Sequence, residues 1–309
     1  MGAERIELGP EAAGTRLDRL LADRQPGLGR AAVRRLIEAG QVLIDGRRGR
    51  AGTRLWEGAV LELRDWPEST AATPDPELAL SVLHEDGRLL VVDKPAGVPT
   101  HPLRAGERGT LAGALLARYP ELAGVGHGER EPGLLHRLDT DTSGLLLVAR
   151  DTESFARLQA LLQGGGLDKR YEALCAGQLT APTSERAWLS ARGSRVTVRG
   201  KAFRHAVEIE TEVLESAAHG DFSLVQLRAH LARRHQLRAH LAFLAHPIAA
   251  DALYGGPPVA GLKRHYLHAN FLAFEHPFTG ERVAVDAPRP EALQGVLDTL
   301  STQSSPEAT

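Results

Sequence analysis

Residues 67–77, Pro-Glu-Ser-Thr-Ala-Ala-Thr-Pro-Asp-Pro-Glu, carry three prolines and offer almost nothing to bury. Each proline fixes φ and removes a backbone donor, so neither a helix nor a central strand runs through such a stretch. It reads as a linker and divides the 309-residue chain into unequal parts. The expected layout is a module at 14–66, a linker at 67–79, a larger domain at 80–290 and a disordered polar tail at 301–309. With 42% apolar and 25% charged residues the composition is globular and excludes wholesale disorder. The densest apolar run, Leu145–Ala149, is far short of the roughly 18 residues of a membrane span. Met1-Gly2-Ala3-Glu4-Arg5 lacks the pattern of a signal peptide. Cys175, the single cysteine, cannot form an internal disulfide or a thiolate cage. A cytoplasmic protein without membrane contact is expected.

The net charge of −2 hides an asymmetry. Residues 14–64 hold eleven Arg, no Lys and six acids, a net of +5, which leaves the rest of the chain at −7. Only four Lys occur in the chain, so arginine preference is general, but the clustering is not. A basic module on an acidic body points to a polyanionic partner, with nucleic acid favoured over a merely solvated face.

Within that module Leu17, Leu20 and Leu21 recur at helical spacing until Pro26-Gly27 breaks the pattern. A second helix is predicted from Arg30 to Ala39, with Val33, Leu36 and Ile37 as its apolar stripe and Gly40 past its end. Arg30 and Arg34 lie one turn apart on the other side, with Arg35 beside them. Short strands are predicted at 42–44, turning through Asp45-Gly46, and at 60–63. Arg16-Leu17-Asp18, Arg30 ahead of Val33-Arg34-Arg35-Leu36-Ile37, Gly40, Val42, Gly46 and Leu55-x-x-Gly58 together resemble the S4 RNA-binding domain. That resemblance implies a small helix-rich fold that grips RNA through Arg16, Arg30, Arg34 and Arg35. Gly29 stands where the family usually has a capping Ser, a slight loss.

Beyond the linker, strands are predicted at 89–92, 144–149, 170–176 and 222–231, the last from its period-two alternation, and helices at 110–118, 152–162 and 234–245. This mixture fits neither a (β/α)8 barrel nor a doubly wound nucleotide fold, and an α+β protein is expected.

The densest polar cluster is His136-Arg137-Leu138-Asp139-Thr140-Asp141-Thr142-Ser143-Gly144, leading directly into Leu145–Ala149. Such a loop ahead of an apolar strand sets carboxylates at the rim of a core. Asp139-x-Asp141-x-Ser143-Gly144 mimics the start of a calcium loop, but the twelfth residue is Arg150 rather than a bidentate Glu. A loop merely bonding its own backbone and a loop presenting a catalytic carboxylate then compete.

The companion motifs decide between them. In order they are Asp93-Lys94-Pro95-Ala96-Gly97-Val98-Pro99-x-His101-Pro102, His136 to Gly144, Lys169-Arg170-Tyr171, Arg233-Arg234-His235-Gln236-Leu237-Arg238-x-His240, His246-Pro247-x-x-x-Asp251-x-x-Tyr254-Gly255 and Leu267-His268-Ala269. Over residues 80–288 this series resembles the RluA-type pseudouridine synthases, and an S4 domain ahead of it matches members that act on large-subunit ribosomal RNA. The resemblance implies a mixed, largely antiparallel catalytic domain that isomerises uridine to pseudouridine with no cofactor and no metal. It places the essential carboxylate on Asp139, the aromatic that packs on the target base and helps remove the C5 proton on Tyr171, and the arginine that pairs with the carboxylate on Arg233. Arg137 is positioned either to fill the space of a flipped base or to hold a phosphate. Attack on C1′ of the ribose, attack on C6 of uracil and assistance to elimination are all compatible with Asp139.

Ala232, Arg234 and Ala250 depart from the family pattern, which has Gly, a hydroxyl residue and Gly there. His230, His235, His240 and His246 are spaced by five, five and six and share no helical face, so metal ligation is not expected. Gly164-Gly165-Gly166 lacks a following Lys-Ser/Thr and reads as a loop. The expected partner is structured RNA, with the protein acting as a monomer on large-subunit ribosomal RNA. A transfer RNA synthase, or a non-catalytic ribosome-assembly factor that keeps the fold, are the alternatives.

Overall fold

The computed structural model describes residues 4–24, 30–64, 71–104, 106–191, 196–259 and 261–303. Gly29, the Arg30 side chain, the start of the linker and the tail beyond Gln303 lie outside the described residues. In the basic module the two leucine-spaced segments form α1 (Leu17–Arg24) and α2 (Arg30–Glu38), and Gly40 adopts the left-handed conformation expected after α2, at φ 75°. Strands β1 (Glu4–Glu7), β2 (Val42–Ile44), β3 (Arg47–Arg48) and β4 (Val60–Leu63) form a sheet in the order β1-β4-β2-β3. Leu17, Leu21, Val33, Ile37, Val42, Ile44 and Leu61 close a core of its own between helices and sheet. The apolar stripe of α2 is thus consumed inward, and Arg34 and Arg35 are left exposed.

The second half of the linker is less idle than its composition suggests. Ala72 and Asp75 are buried; the Ala72 and Asp75 N–H groups donate to the carbonyls of Glu129 and Gly113, and the Asp75 carboxylate accepts from the Gly109 N–H at 2.8 Å. Residues with no apolar mass are held here by hydrogen bonds, which composition does not reveal.

Ten strands form the large sheet: β5 (Ser81–Glu85), β6 (Leu89–Lys94), β7 (Ser143–Ala149), β8 (Asp168–Ala176), β9 (Thr183–Ala191), β10 (Val196–Arg199), β11 (Val207–His219), β12 (Phe222–Arg228), β13 (Leu267–Glu275) and β14 (Arg282–Asp286). Their order is β10-β9-β11-β12-β8-β13-β7-β6-β5, with β14 branching from β13. The continuous apolar runs of β6 and β7 are explained by cover on both faces. Leu90, Val92, Leu146 and Val148 face α3 (Leu111–Arg118), while Leu89, Val91, Leu145 and Leu147 face α4 (Thr152–Gln163). Thr110 and Asp151 start these helices, their side chains accepting from the N–H groups of Gly113 and Ser154.

Strand β12 keeps its period-two pattern, with Ser223, Val225 and Leu227 inward, but ends at Arg228 rather than at 231. The chain then turns irregularly into α5 (Gln236–Phe243), whose preceding residue, His235, is left-handed at φ 54°. The last helix, α6 (Glu291–Gln303), runs three residues into the segment expected to be a disordered tail.

All other neighbours along this path pair antiparallel; β7 and β13 alone run parallel, and their ladder has only two residue pairs, His268 with Ser143 and Ala269 with Gly144. This short ladder is the seam between β5-β6-β7 and the rest of the sheet. Gly144, at φ 116°, is forced by it, because a Cβ there would collide with the Ala269 carbonyl oxygen. Side chains make up for the missing ladder. Thr142 Oγ1 meets His265 Nε2 at 2.8 Å, and Ser143 Oγ meets His268 Nδ1 at 2.9 Å, all four residues buried. The Thr-Ser-Gly end of the polar loop is therefore two rivets and a space-saving glycine.

Candidate active site

Directly before the seam, Asp139 opens into a cleft of roughly 400 Å³ that is also lined by Arg137, Thr142, Tyr171, Arg233, Arg234, His235 and Arg238. Arg137, Asp139 and Thr142 come from the loop that feeds β7, Tyr171 from β8, and Arg233, Arg234, His235 and Arg238 from the turn into α5 and its first residues. The backbone of that loop is fixed from both sides. The Lys94 ammonium, fully buried, donates to the carbonyls of Pro95, Val98 and Thr140 at 3.0, 2.7 and 2.9 Å, and the Thr100 hydroxyl donates to the Leu138 carbonyl at 2.7 Å. Desolvation lowers the Lys94 pKa to about 7, opposed by the nearby Asp139 and Asp141.

Asp139 Oδ2 accepts from Arg238 Nη1 at 2.9 Å and lies 3.8 Å from His235 Nε2. Arg238 is itself gripped by Asp251, Nε to Oδ2 at 2.7 Å and Nη2 to Oδ1 at 2.9 Å. Asp251 is 1% exposed. Its Oδ1 also accepts from the backbone N–H groups of Leu253 and Tyr254. Between two carboxylates the guanidinium is held charged, its pKa pushed up by the hydrogen bond and charge of Asp251 and then of Asp139 against the desolvation that lowers it.

This corrects the expectation for Arg233. That residue lines the cleft but is exposed, and its backbone N–H donates to Gln236 Oε1 in the turn ahead of α5. The partner of Asp139 is Arg238, five residues later and inside the helix, where a fixed backbone and the Asp251 fork hold it. The sequence signal for Arg238 was its place three residues after His235, one turn into a helix, but only the position of the left-handed His235 shows which arginine turns inward.

Tyr171 is 4% exposed, and burial together with the charge of Asp139 pushes its phenol far above the ordinary range, so it stays protonated. Arg137 Nη1 lies 3.1 Å from His101 Nε2. Arginine only donates, so Nε2 accepts; burial, with the charges of Arg137 and Arg130, holds this imidazole neutral, its pKa pushed down to about 3. Ala250 adopts φ 58° where the family pattern has glycine, so its departure falls on a left-handed backbone position. Ala232 is not among the positive-φ residues, and its departure is unstrained. In the basic module Arg16 is tied to Asp18 by two bonds of 2.9 and 2.8 Å, while Arg34 and Arg35 are exposed. Among the described residues no cluster of three His, Cys, Asp or Glu is arranged to hold a metal ion, and no helix is long and apolar enough to cross a membrane.

The RNA pseudouridylate synthase family model matches residues 88–243, and the S4 domain model matches residues 15–61. An uncharacterized RNA pseudouridine synthase of Chloroflexus aurantiacus is 39% identical over 96% of this chain and 93% of its own length. The chain belongs to the RNA pseudouridine synthases. Its class is that of isomerases, of the RluA type, with an S4 domain ahead of the catalytic one. A ribosomal large subunit pseudouridine synthase D of Xanthomonas campestris is 34% identical over 95% of the synthase and 91% of the relative. In fold, the synthase resembles human RNA pseudouridylate synthase domain containing 4, with a TM-score of 0.58 over 72% of this chain and 93% of the other, at 24% identity.

Proposed function

We propose that the synthase isomerises specific uridines of large-subunit ribosomal RNA, acting as a monomer with Asp139 as its catalytic carboxylate. The observation that carries the catalytic part is the placement of protein contacts on Asp139. The contacts from Arg238 and His235 both fall on Oδ2, and Oδ1 is the oxygen assigned to the substrate in this reading. Arg238, locked by Asp251, sets a positive charge against Oδ2 without competing for Oδ1. Tyr171 offers a buried aromatic ring beside it as the floor for a detached uracil, which must turn without escaping. Arg137, steadied by His101 at the rim, is placed to fill the gap left by the flipped nucleotide, a step that costs a few kcal/mol. The ribosomal substrate is supported by the relatives that carry the large-subunit name across nearly the whole chain. The S4 domain, with Arg34 and Arg35 exposed, then anchors structured RNA beside the cleft.

The test is pseudouridine mapping of total RNA from cells with and without the gene, with wild type and Asp139→Asn as rescues. Loss of sites in large-subunit ribosomal RNA, restored by wild type only, is the expected result. Loss confined to transfer RNA would replace the substrate; restoration by Asp139→Asn would remove Asp139 from its role.

A further inference from the structure

His235 lines the catalytic cleft, yet folding alone does not call for a histidine there. It sits at the start of α5 with φ 54°, a left-handed position that glycine or asparagine adopts more easily, and its side chain makes no capping bond to the helix. The side chain is engaged elsewhere. Nδ1 meets the Tyr254 hydroxyl at 2.9 Å, and Nε2 lies 3.8 Å from Asp139 Oδ2. The Tyr254 oxygen in turn accepts the Val196 N–H at 3.1 Å. The imidazole therefore stands between a phenol tied to the sheet and the carboxylate at the centre of the cleft.

One arrangement of protons suits both ends. A neutral imidazole carries one N–H and one lone pair on its nitrogens. With the proton on Nδ1, the Nε2 lone pair would face a carboxylate oxygen, two negative ends together. With the proton on Nε2, the N–H is directed at Oδ2 and Nδ1 accepts the Tyr254 O–H. Burial keeps the ring uncharged at neutral pH, lowering its pKa together with Arg238 and Arg234 against the opposite pull of Asp139 and Asp251. A separation of 3.8 Å is longer than a hydrogen bond, and contacts among catalytic groups commonly tighten once substrate is bound.

We propose that His235 is a positioning residue for the isomerisation: locked as the Nε2–H tautomer by Tyr254, it supplies a second, uncharged donor to Asp139 Oδ2 and stops the carboxylate from swinging about its Cβ–Cγ bond. The inference rests on the reading of Asp139 as the catalytic carboxylate. Arg238 holds Oδ2 through a single nitrogen, which leaves that rotation open. A donor without charge adds restraint without drawing on the carboxylate as a second cation would. Tyr254 is set by the same aspartate that grips Arg238, since its backbone N–H donates to Asp251 Oδ1. One buried carboxylate thus places both donors that meet Asp139.

The experiment separates the tautomer from the backbone. In the full-length synthase labelled with nitrogen-15 histidine, the His235 signals are assigned by their loss in His235→Gln. At neutral pH Nε2 should show the shift of a protonated nitrogen and Nδ1 that of an unprotonated one. Tyr254→Phe, which asks no new φ of the turn, should mix the two tautomers. A parent with the proton on Nδ1 would overturn the inference. Turnover of a large-subunit ribosomal RNA fragment then reads the role. His235→Gln sets an amide N–H close to where Nε2–H stood, and kcat stays within about threefold of the parent's. His235→Asn is better suited to the left-handed backbone but one carbon too short, so kcat falls about tenfold or more while KM is unchanged. A histidine needed only for the shape of the turn gives the reverse order, Asn above Gln, and that result overturns the proposal. Full turnover in Asp139→Asn would instead take away the catalytic carboxylate itself, and the inference with it, whichever tautomer the spectra show.

Discussion

The synthase uses arginine in two opposite ways. In the S4 domain Arg5 and Arg19 have side chains 72% and 78% exposed, and Arg34 and Arg35 are left outside by the packing of α2. In the cleft the Arg238 side chain is 10% exposed and bridges two carboxylates. An exposed guanidinium in water at about 4 Å from a counter-charge gains roughly 1 kcal/mol and is screened by salt, so its use is to meet a partner that arrives with many charges. A buried one is expensive unless fully bonded, and its use is to hold geometry. The same residue type therefore reports recognition in one region and construction in the other.

The comparison breaks most visibly at Asp139. Asp139→Asn keeps a hydrogen-bonding group for Arg238 but removes the charge, and turnover falls by about 10³-fold or more while RNA affinity stays within a few-fold, as single-turnover assays and binding titrations would show. Next is Arg238→Met, which strands the Asp251 carboxylate in the interior and lowers stability by about 3–5 kcal/mol in urea unfolding, besides abolishing activity. A shift within error would mean that the guanidinium is not a structural brace.

The seam gives a pH effect of intermediate size. Burial pushes the His265 pKa down to about 4 and lowers that of His268. In the unfolded chain a histidine titrates near 6.5, so between about 6.5 and 4 the unfolded state binds more protons than the folded one. The stabilisation is complete above about pH 6.5 and is lost as the pH falls towards 4. Tm should drop through this window, and less steeply in His265→Asn; an equal slope in the variant would take His265 out of the account. The smallest effect belongs to the outer arginines. Arg34→Gln/Arg35→Gln should change stability by less than about 0.5 kcal/mol each and reduce the salt slope of RNA binding by about 1.5.

How far the sequence carried the fold follows the same division between burial and exposure. Strands β6 and β7 were legible because both faces are covered and the residues read as apolar runs. Strands β9, β10 and β11 were not, since much of each strand is solvent-facing and its residues, such as Thr197 and Glu208, carry no apolar signal. Strand β13 carries a broken apolar signal because its buried positions include His268 beside Leu267 and Ala269, a polar rivet in place of a hydrophobic residue. In the site, Asp139, Tyr171 and Arg137 were legible from motif order, and all three line the cleft. The carboxylate's partner was not, because two arginines five residues apart differ only in which side of a left-handed His235 they fall. Asp251, Tyr254 and His101 act through hydrogen-bond partners distant in sequence, and spacing does not encode those.

The two-pair ladder between β7 and β13 also orders events in time. Asp139 is synthesised about a hundred residues before Arg238 and Asp251, and the strand that closes the seam comes later still. The S4 domain, with a core entirely its own, can fold as soon as it emerges. A nascent chain is therefore equipped to hold RNA long before it is equipped to alter it, and chemistry begins only once the final third of the protein has been made.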